Sequence, residues 1–177
     1  MAEKKPLVWY DDTKKVEFMR SGDTAPSTGG ASSAWTLVKK TAIETRTSNA
    51  TLAADSVLQF SMVNGASYSL RIRIFYNTEA TPDFKYGFNG PTAGFISASR
   101  YAVMPGATAG TISATATAYD ITGIPLAGNA GRGYIEMDVA ITGVTASGTF
   151  TFTWAQNTLT AANTSVLAGS YIEYTTL

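Results

Sequence analysis

The 177-residue chain contains no cysteine and no histidine. The first absence excludes disulfides and thiolate metal sites. The second removes the commonest general base and the commonest metal ligand. Charge is scarce as well, at 15% of residues against about 25% in an average soluble domain. Thirteen basic and 13 acidic residues balance to a formal net charge of zero, so the electrostatic footprint of a nucleic-acid binder is missing. No stretch approaches the roughly 18 apolar residues of a membrane-spanning helix. The opening Met1-Ala2-Glu3-Lys4-Lys5-Pro6 leads to a short apolar run and then Asp11-Asp12, with no signal-peptide core. The expectation is a protein made in the cytosol, with neither membrane nor nucleic acid as partner and no cofactor.

What remains is apolar and small: 45% hydrophobic residues, with Thr, Ala, Ser and Gly in the places that charge would occupy. A neutral, small-featured surface suits close packing against other protein surfaces, since little charge keeps subunits apart. The charges are unevenly spread. Up to Arg46 there are 8 basic and 6 acidic residues, leaving 5 and 7 for the rest.

Helical periodicity is hard to find, whereas alternation with a period of two runs through most of the chain. Leu7 to Tyr10 and Val16 to Arg20 read as a small hairpin. Residues 21–33, rich in Ser, Gly, Thr and Pro, read as a linker. Residues 1–33 are therefore expected to form an attachment arm, and residues 34–177 a β-sandwich domain. In that domain strands are predicted over 35–45, 57–63, 68–76, 84–88, 95–104, 112–119, 133–143, 149–154 and 166–174. Leu58, Phe60 and Met62 alternate with Gln59 and Ser61. Leu70, Ile72 and Ile74 alternate with Arg71 and Arg73. Ile135, Met137, Val139 and Ile141 alternate with Glu136 and Asp138. Asn64-Gly65 supplies a turn in which both residues tolerate positive φ. This spacing predicts an all-β, antiparallel sandwich of jelly-roll type with a short N-terminal hairpin.

Few groups offer chemistry. If their strands are neighbours, Arg71 and Arg73 meet Glu136 and Asp138 as a charge ladder; the alternative is a carboxylate pair for acid–base work or a cation site. Phe84 to Pro91 is the most aromatic segment, either a sugar-stacking platform presenting Tyr86 and Phe88 as a surface contact loop or a buried strand end. The glycines from Gly128 to Gly133 do not open a helix after a strand, so they lack the setting of a phosphate cradle. Asn49-Ala50-Thr51 and Asn163-Thr164-Ser165 match the glycosylation pattern, which means little without a signal peptide. The serines have no evident activator, and no carboxylate pair of the glycosidase kind is defensible. No catalytic, cofactor-binding or metal-binding residue is assigned, and a non-enzyme is expected.

Towards the C-terminus, Gly148-Thr149-Phe150-Thr151-Phe152-Thr153-Trp154-Ala155-Gln156-Asn157-Thr158 and Asn163 to Tyr174 resemble the ending of a family of tailed-bacteriophage virion proteins. The resemblance extends through Asp55-Ser56-Val57-Leu58-Gln59-Phe60, the Arg71/Arg73 strand, Thr81 to Tyr86 and Pro105 to Ala109, covering most of residues 50–174. Val16-Glu17-Phe18-Met19-Arg20-Ser21-Gly22-Asp23-Thr24 is similar to a segment that opens many phage fibre and decoration proteins. The resemblance implies a structural protein of the virion, assembled in the host bacterial cytoplasm. It carries no catalytic residues. Two placements follow from it. One is a head decoration or cement protein, sitting as a homotrimer on the major capsid protein and cross-linking capsomers. The other is a tail-tip or tail-fibre component that touches the host surface. In both, the arm attaches through Leu7, Val8, Trp9, Val16, Phe18, Met19 and Arg20.

Overall fold

The structure, a computed structural model, describes residues 8–10, 16–18, 34–103, 110–116, 124–126 and 130–177. The chain divides into two units, Met1–Ser32 and Ser33–Leu177. In the first, β1 (Val8–Tyr10) pairs antiparallel with β2 (Val16–Phe18), with Trp9 opposite Glu17. This is the hairpin expected from the alternation of apolar residues on either side of Asp11-Asp12.

The described residues of the second unit contain strands and no helix. In chain order the strands are β3 (Thr36–Lys39), β4 (Glu44–Arg46), β5 (Ala53–Met62), β6 (Tyr68–Thr78), β7 (Phe84–Asn89), β8 (Ala93–Val103), β9 (Gly110–Ala116), β10 (Ile124–Leu126), β11 (Gly131–Val144), β12 (Gly148–Ala155), β13 (Thr164–Val166) and β14 (Tyr171–Thr176). They form a smaller sheet in the order β10-β7-β12-β5 and a larger one in the order β3-β14-β6-β11-β8-β9, with β13 joining β4 to β6. Every pairing is antiparallel.

The pairings nest. The β8/β9 pair lies innermost in sequence, followed outward by β7/β10, β6/β11 and β5/β12. Successive rungs of this double ribbon alternate between the two sheets. An eight-stranded ribbon wrapped in this way is a jelly roll. Strands β3, β4, β13 and β14 extend its larger sheet beside β6.

Alternation decides which face each strand buries. On β5, Leu58, Phe60 and Met62 are buried while Gln59 and Ser61 are exposed. On β6 and β11 the apolar rows Leu70-Ile72-Ile74 and Ile135-Met137-Val139-Ile141 join Phe150, Phe152 and Trp154 of β12 in one core. Aromatic rings lock the two layers together. Tyr76 of β6 stacks on Phe84 of β7 at 4.6 Å, and Phe60 of β5 stacks on Tyr174 of β14 at 3.9 Å. Each fully buried side chain of this size contributes about 1.5–3 kcal/mol.

Four local features differ from expectation. Residues 35–45 do not form one strand, because the chain bends after β3 and re-enters the sheet as β4. Residues 166–174 likewise split into β13 and β14, separated by a turn in which Gly169 takes φ +92°, a region open to glycine at little cost. Ile124-Pro125-Leu126 is a short edge strand, β10, instead of part of a loop; its proline sits where an unpaired edge tolerates the missing N–H. Between Asn64 and Gly65 only Gly65 has positive φ, +82°, and Ala66 N–H donates to Val63 O at 3.2 Å. Positive φ confined to the third residue marks a type II turn, and this one carries the chain from the smaller sheet to the larger.

Candidate functional site

The outward face of the larger sheet carries the charges expected from the sequence. The register sets Glu136 opposite Arg73 and Asp138 opposite Arg71. On the other side of β6, Glu173 stands opposite Arg71 and Tyr171 opposite Arg73. Arg73 and Glu136 form a hydrogen-bonded ion pair, which raises the Arg73 guanidinium above its ordinary value. Arg71 lies 4.0 Å from Glu173, and its guanidinium covers the Trp35 ring at 4.5 Å, a cation–π contact. Tyr101, Tyr134 and Phe75 line up beside the Arg73–Glu136 pair, with ring centres 5.9 Å and 6.5 Å apart.

A depression of about 380 Å³ lies over these residues, lined by Arg71, Arg73, Glu136, Asp138, Tyr171 and Glu173. A second, of about 260 Å³, continues past Asp138 over Ser69, Ser97, Ser99 and Ala140. The face thus sets two arginines among three carboxylates and offers hydroxyls and aromatic edges. This chemistry suits a polar contact surface. Among the described residues no group of three or more Asp and Glu is arranged to hold a metal ion.

A second cluster lies inside the sandwich, and sequence reasoning missed it. Lys40 follows β3 and is 1% exposed; Asp55 lies on β5 and is also 1% exposed. Between Ala54 and Gln59 the β5 register slips against Thr153 and Thr151 of β12. Such a bulge re-aims side chains, and here it turns Asp55 inward. Its Oδ1 accepts from the Val57 and Leu58 N–H groups at 2.9 and 3.0 Å, and its Oδ2 from Trp154 Nε1 at 3.1 Å. Lys40 Nζ sits 2.9 Å from both oxygens. Glu44 Oε2 approaches the same Nζ to 2.8 Å. Arg46 and Ser56 hold Glu44 at 2.7 Å each, and the Arg46 guanidinium lies over the Trp154 ring at 3.9 Å. Burial pushes the Glu44 carboxyl up, but hydrogen bonds from Lys40, Ser56 and Arg46 outweigh it and bring it down to about 2. Elsewhere in the core, burial pushes the Tyr76 hydroxyl up to about 12; that hydroxyl has no hydrogen-bond partner among the described residues.

Tyr86 and Phe88 require a correction. They do not form a surface contact loop, because both lie on β7 inside the core, 0% and 8% exposed. Tyr86 packs against Phe84 and Phe152, and Phe88 against Phe150 and Phe152. The larger sheet covers the face on which these aromatics alternate, so no sugar platform is presented there. Of the arm residues, Val8, Trp9, Val16 and Phe18 lie on the paired strands of the hairpin. Leu7, Met19 and Arg20 lie outside the described residues, as do residues 128 and 129 of the glycine-rich segment.

No family model matches the chain, and no curated protein matches it. Among solved structures it is weakly similar to a chain of infectious bursal disease virus, Gx strain, at 11% identity over 99% of its length with a TM-score of 0.24. A chain of the Gt strain of the same virus aligns at 12% identity over 97%, again with a TM-score of 0.24. The present chain spans 45% of the length of each.

Proposed function

We propose that this chain is a non-enzymatic structural component of a bacteriophage particle that works by contact area. The observation that carries the reading is the jelly-roll ribbon β5 to β12, an architecture shared by viral capsid and lectin domains. Its larger sheet turns outward a face on which each arginine stands opposite a carboxylate. The tailed-phage resemblance over residues 50–174 points the same way, as does the scarcity of charge on a chain without Cys or His.

Within that reading we favour a head decoration or cement protein. The sandwich would sit on the major capsid protein as a trimer, and the N-terminal arm would reach a neighbouring capsomer. Each added interface stabilises the closed shell by mass action, because the protein binds the assembled lattice and not its open state. The aromatic Tyr86 and Phe88 offer the tail placement no host contact, since both are core residues.

The test is to separate heads from tails in purified particles and quantify this chain's peptides in each fraction by mass spectrometry. Enrichment in heads, at copy numbers that are multiples of three per site, supports decoration. Enrichment in tails replaces it with the tail reading. Absence from both fractions overturns the structural proposal altogether.

A further inference from the structure

The Lys40, Asp55 and Glu44 cluster holds more chemistry than an ion pair needs. We propose that Lys40 and Asp55 condense within the folded chain into an amide, with Glu44 carrying the protons. The inference is independent of the particle reading above.

The reacting groups are already together. The Lys40 and Asp55 side chains are 2% and 0% exposed. Because Nζ lies 2.9 Å from both carboxylate oxygens, it is also close to the carbon that they flank, in the range of about 3–3.5 Å from which attack proceeds. An ammonium is not a nucleophile and must first lose a proton. Glu44 Oε2, 2.8 Å from Nζ, is placed to accept it. Arg46 and Ser56 fix that carboxylate in position; its low value makes it a weak base, so it relays the proton onward to Oδ2 without holding it.

The acceptor is equally prepared. Attack on Cγ moves negative charge onto Oδ1, which already receives the Val57 and Leu58 N–H groups. Fixed backbone donors aimed at an oxygen that gains charge stabilise the addition intermediate. Oδ2, held by Trp154 Nε1, is then the oxygen that departs. The atoms balance without any co-reactant. The N–C bond forms and the C–Oδ2 bond breaks. Of the three ammonium protons, one stays on the amide nitrogen and two pass through Glu44 to Oδ2, which leaves as water. Glu44 ends as it began. A buried ion pair carries the desolvation penalty of both partners, and the neutral amide removes it.

The bond would join the end of β3, the outer strand of the larger sheet, to β5, the outer strand of the smaller one. It would brace the open side of the sandwich covalently in a chain that has no cysteine for the purpose.

Intact-mass measurement of the purified full-length protein tests this without any variant. The expected mass is lower than the sequence mass by one water. Trypsin should release a branched peptide joining Lys40–Arg46 to Thr47–Arg71. Lys40→Arg and Asp55→Ala should each return to full sequence mass, as should Glu44→Gln when its circular dichroism matches the wild type. Wild-type protein at full mass after prolonged incubation means an ion pair only, and overturns the proposal. Water loss that persists in Lys40→Arg places the dehydration elsewhere and overturns it too. A folded Glu44→Gln that condenses as fast as wild type removes Glu44 from the mechanism.

Discussion

Glu136 stands directly across the ladder from Arg73, and the two side chains form an ion pair on the outward face of the larger sheet. Their exposures, 46% and 37%, set the size of the effect. Directly opposed charges on neighbouring strands contribute about 0.2–1 kcal/mol, and exposed pairs fall in that range. A double-mutant cycle with Arg73→Ala and Glu136→Ala should return a coupling energy of this order, weaker at high salt. A coupling several times larger, insensitive to salt, would mean that the face is covered in the protein's working state.

Tyr86→Ala and Phe88→Ala should behave as core truncations. Each is expected to destabilise the sandwich by about 3–5 kcal/mol, the usual range for removing a buried aromatic ring. The readout is the denaturant midpoint. A variant that keeps wild-type stability but loses binding to a surface would restore the contact-loop role.

Glu44 makes stability depend on acid. Before Lys40 condenses, the Glu44 carboxyl is held down to about 2 in the folded chain, against 4.5 when unfolded. A group with a depressed folded value contributes stability that is complete above its unfolded value and disappears as pH falls through its folded value. Thermal midpoints should therefore drop between pH 4.5 and about 2. A carboxyl-detected NMR titration should place the Glu44 midpoint near the lower end of that window. A midpoint near 4.5 would show that Arg46, Ser56 and Lys40 do not hold it.

Deleting residues 2–25 should leave the sandwich folded, because the core consists of residues from Leu58 to Ile172. It should greatly weaken attachment to the particle. Ordering an arm costs roughly 1–2 kcal/mol per residue, which partner contacts must exceed, and the apolar hairpin residues are the groups able to supply them by adding strands to a partner's sheet. The assay is to add truncated and full-length protein to particles lacking it and to pellet them. Equal pelleting would move attachment to the sandwich face.

The sequence by itself determined the class of fold and the face of most strands. Leu58-Phe60-Met62, Leu70-Ile72-Ile74 and Ile135-Met137-Val139-Ile141 each bury one side of a strand, and a period of two records that burial directly. The same alternation made the Arg71/Arg73 and Glu136/Asp138 rows legible, though their meeting depended on β6 and β11 becoming neighbours. Tertiary structure alone decided the rest. An alternating aromatic row such as Phe84-Tyr86-Phe88 reads the same whether it faces solvent or core; the larger sheet packed over β7 decided it. Tyr171 and Glu173 joined the charged face only because β14 returns beside β6. Lys40 and Asp55 gave no local signal, since a lysine at a strand end and an aspartate in an alternating run both read as exposed. A register slip in one sheet and the residue just past an edge strand of the other brought them together, and burial there left each charge no partner in water.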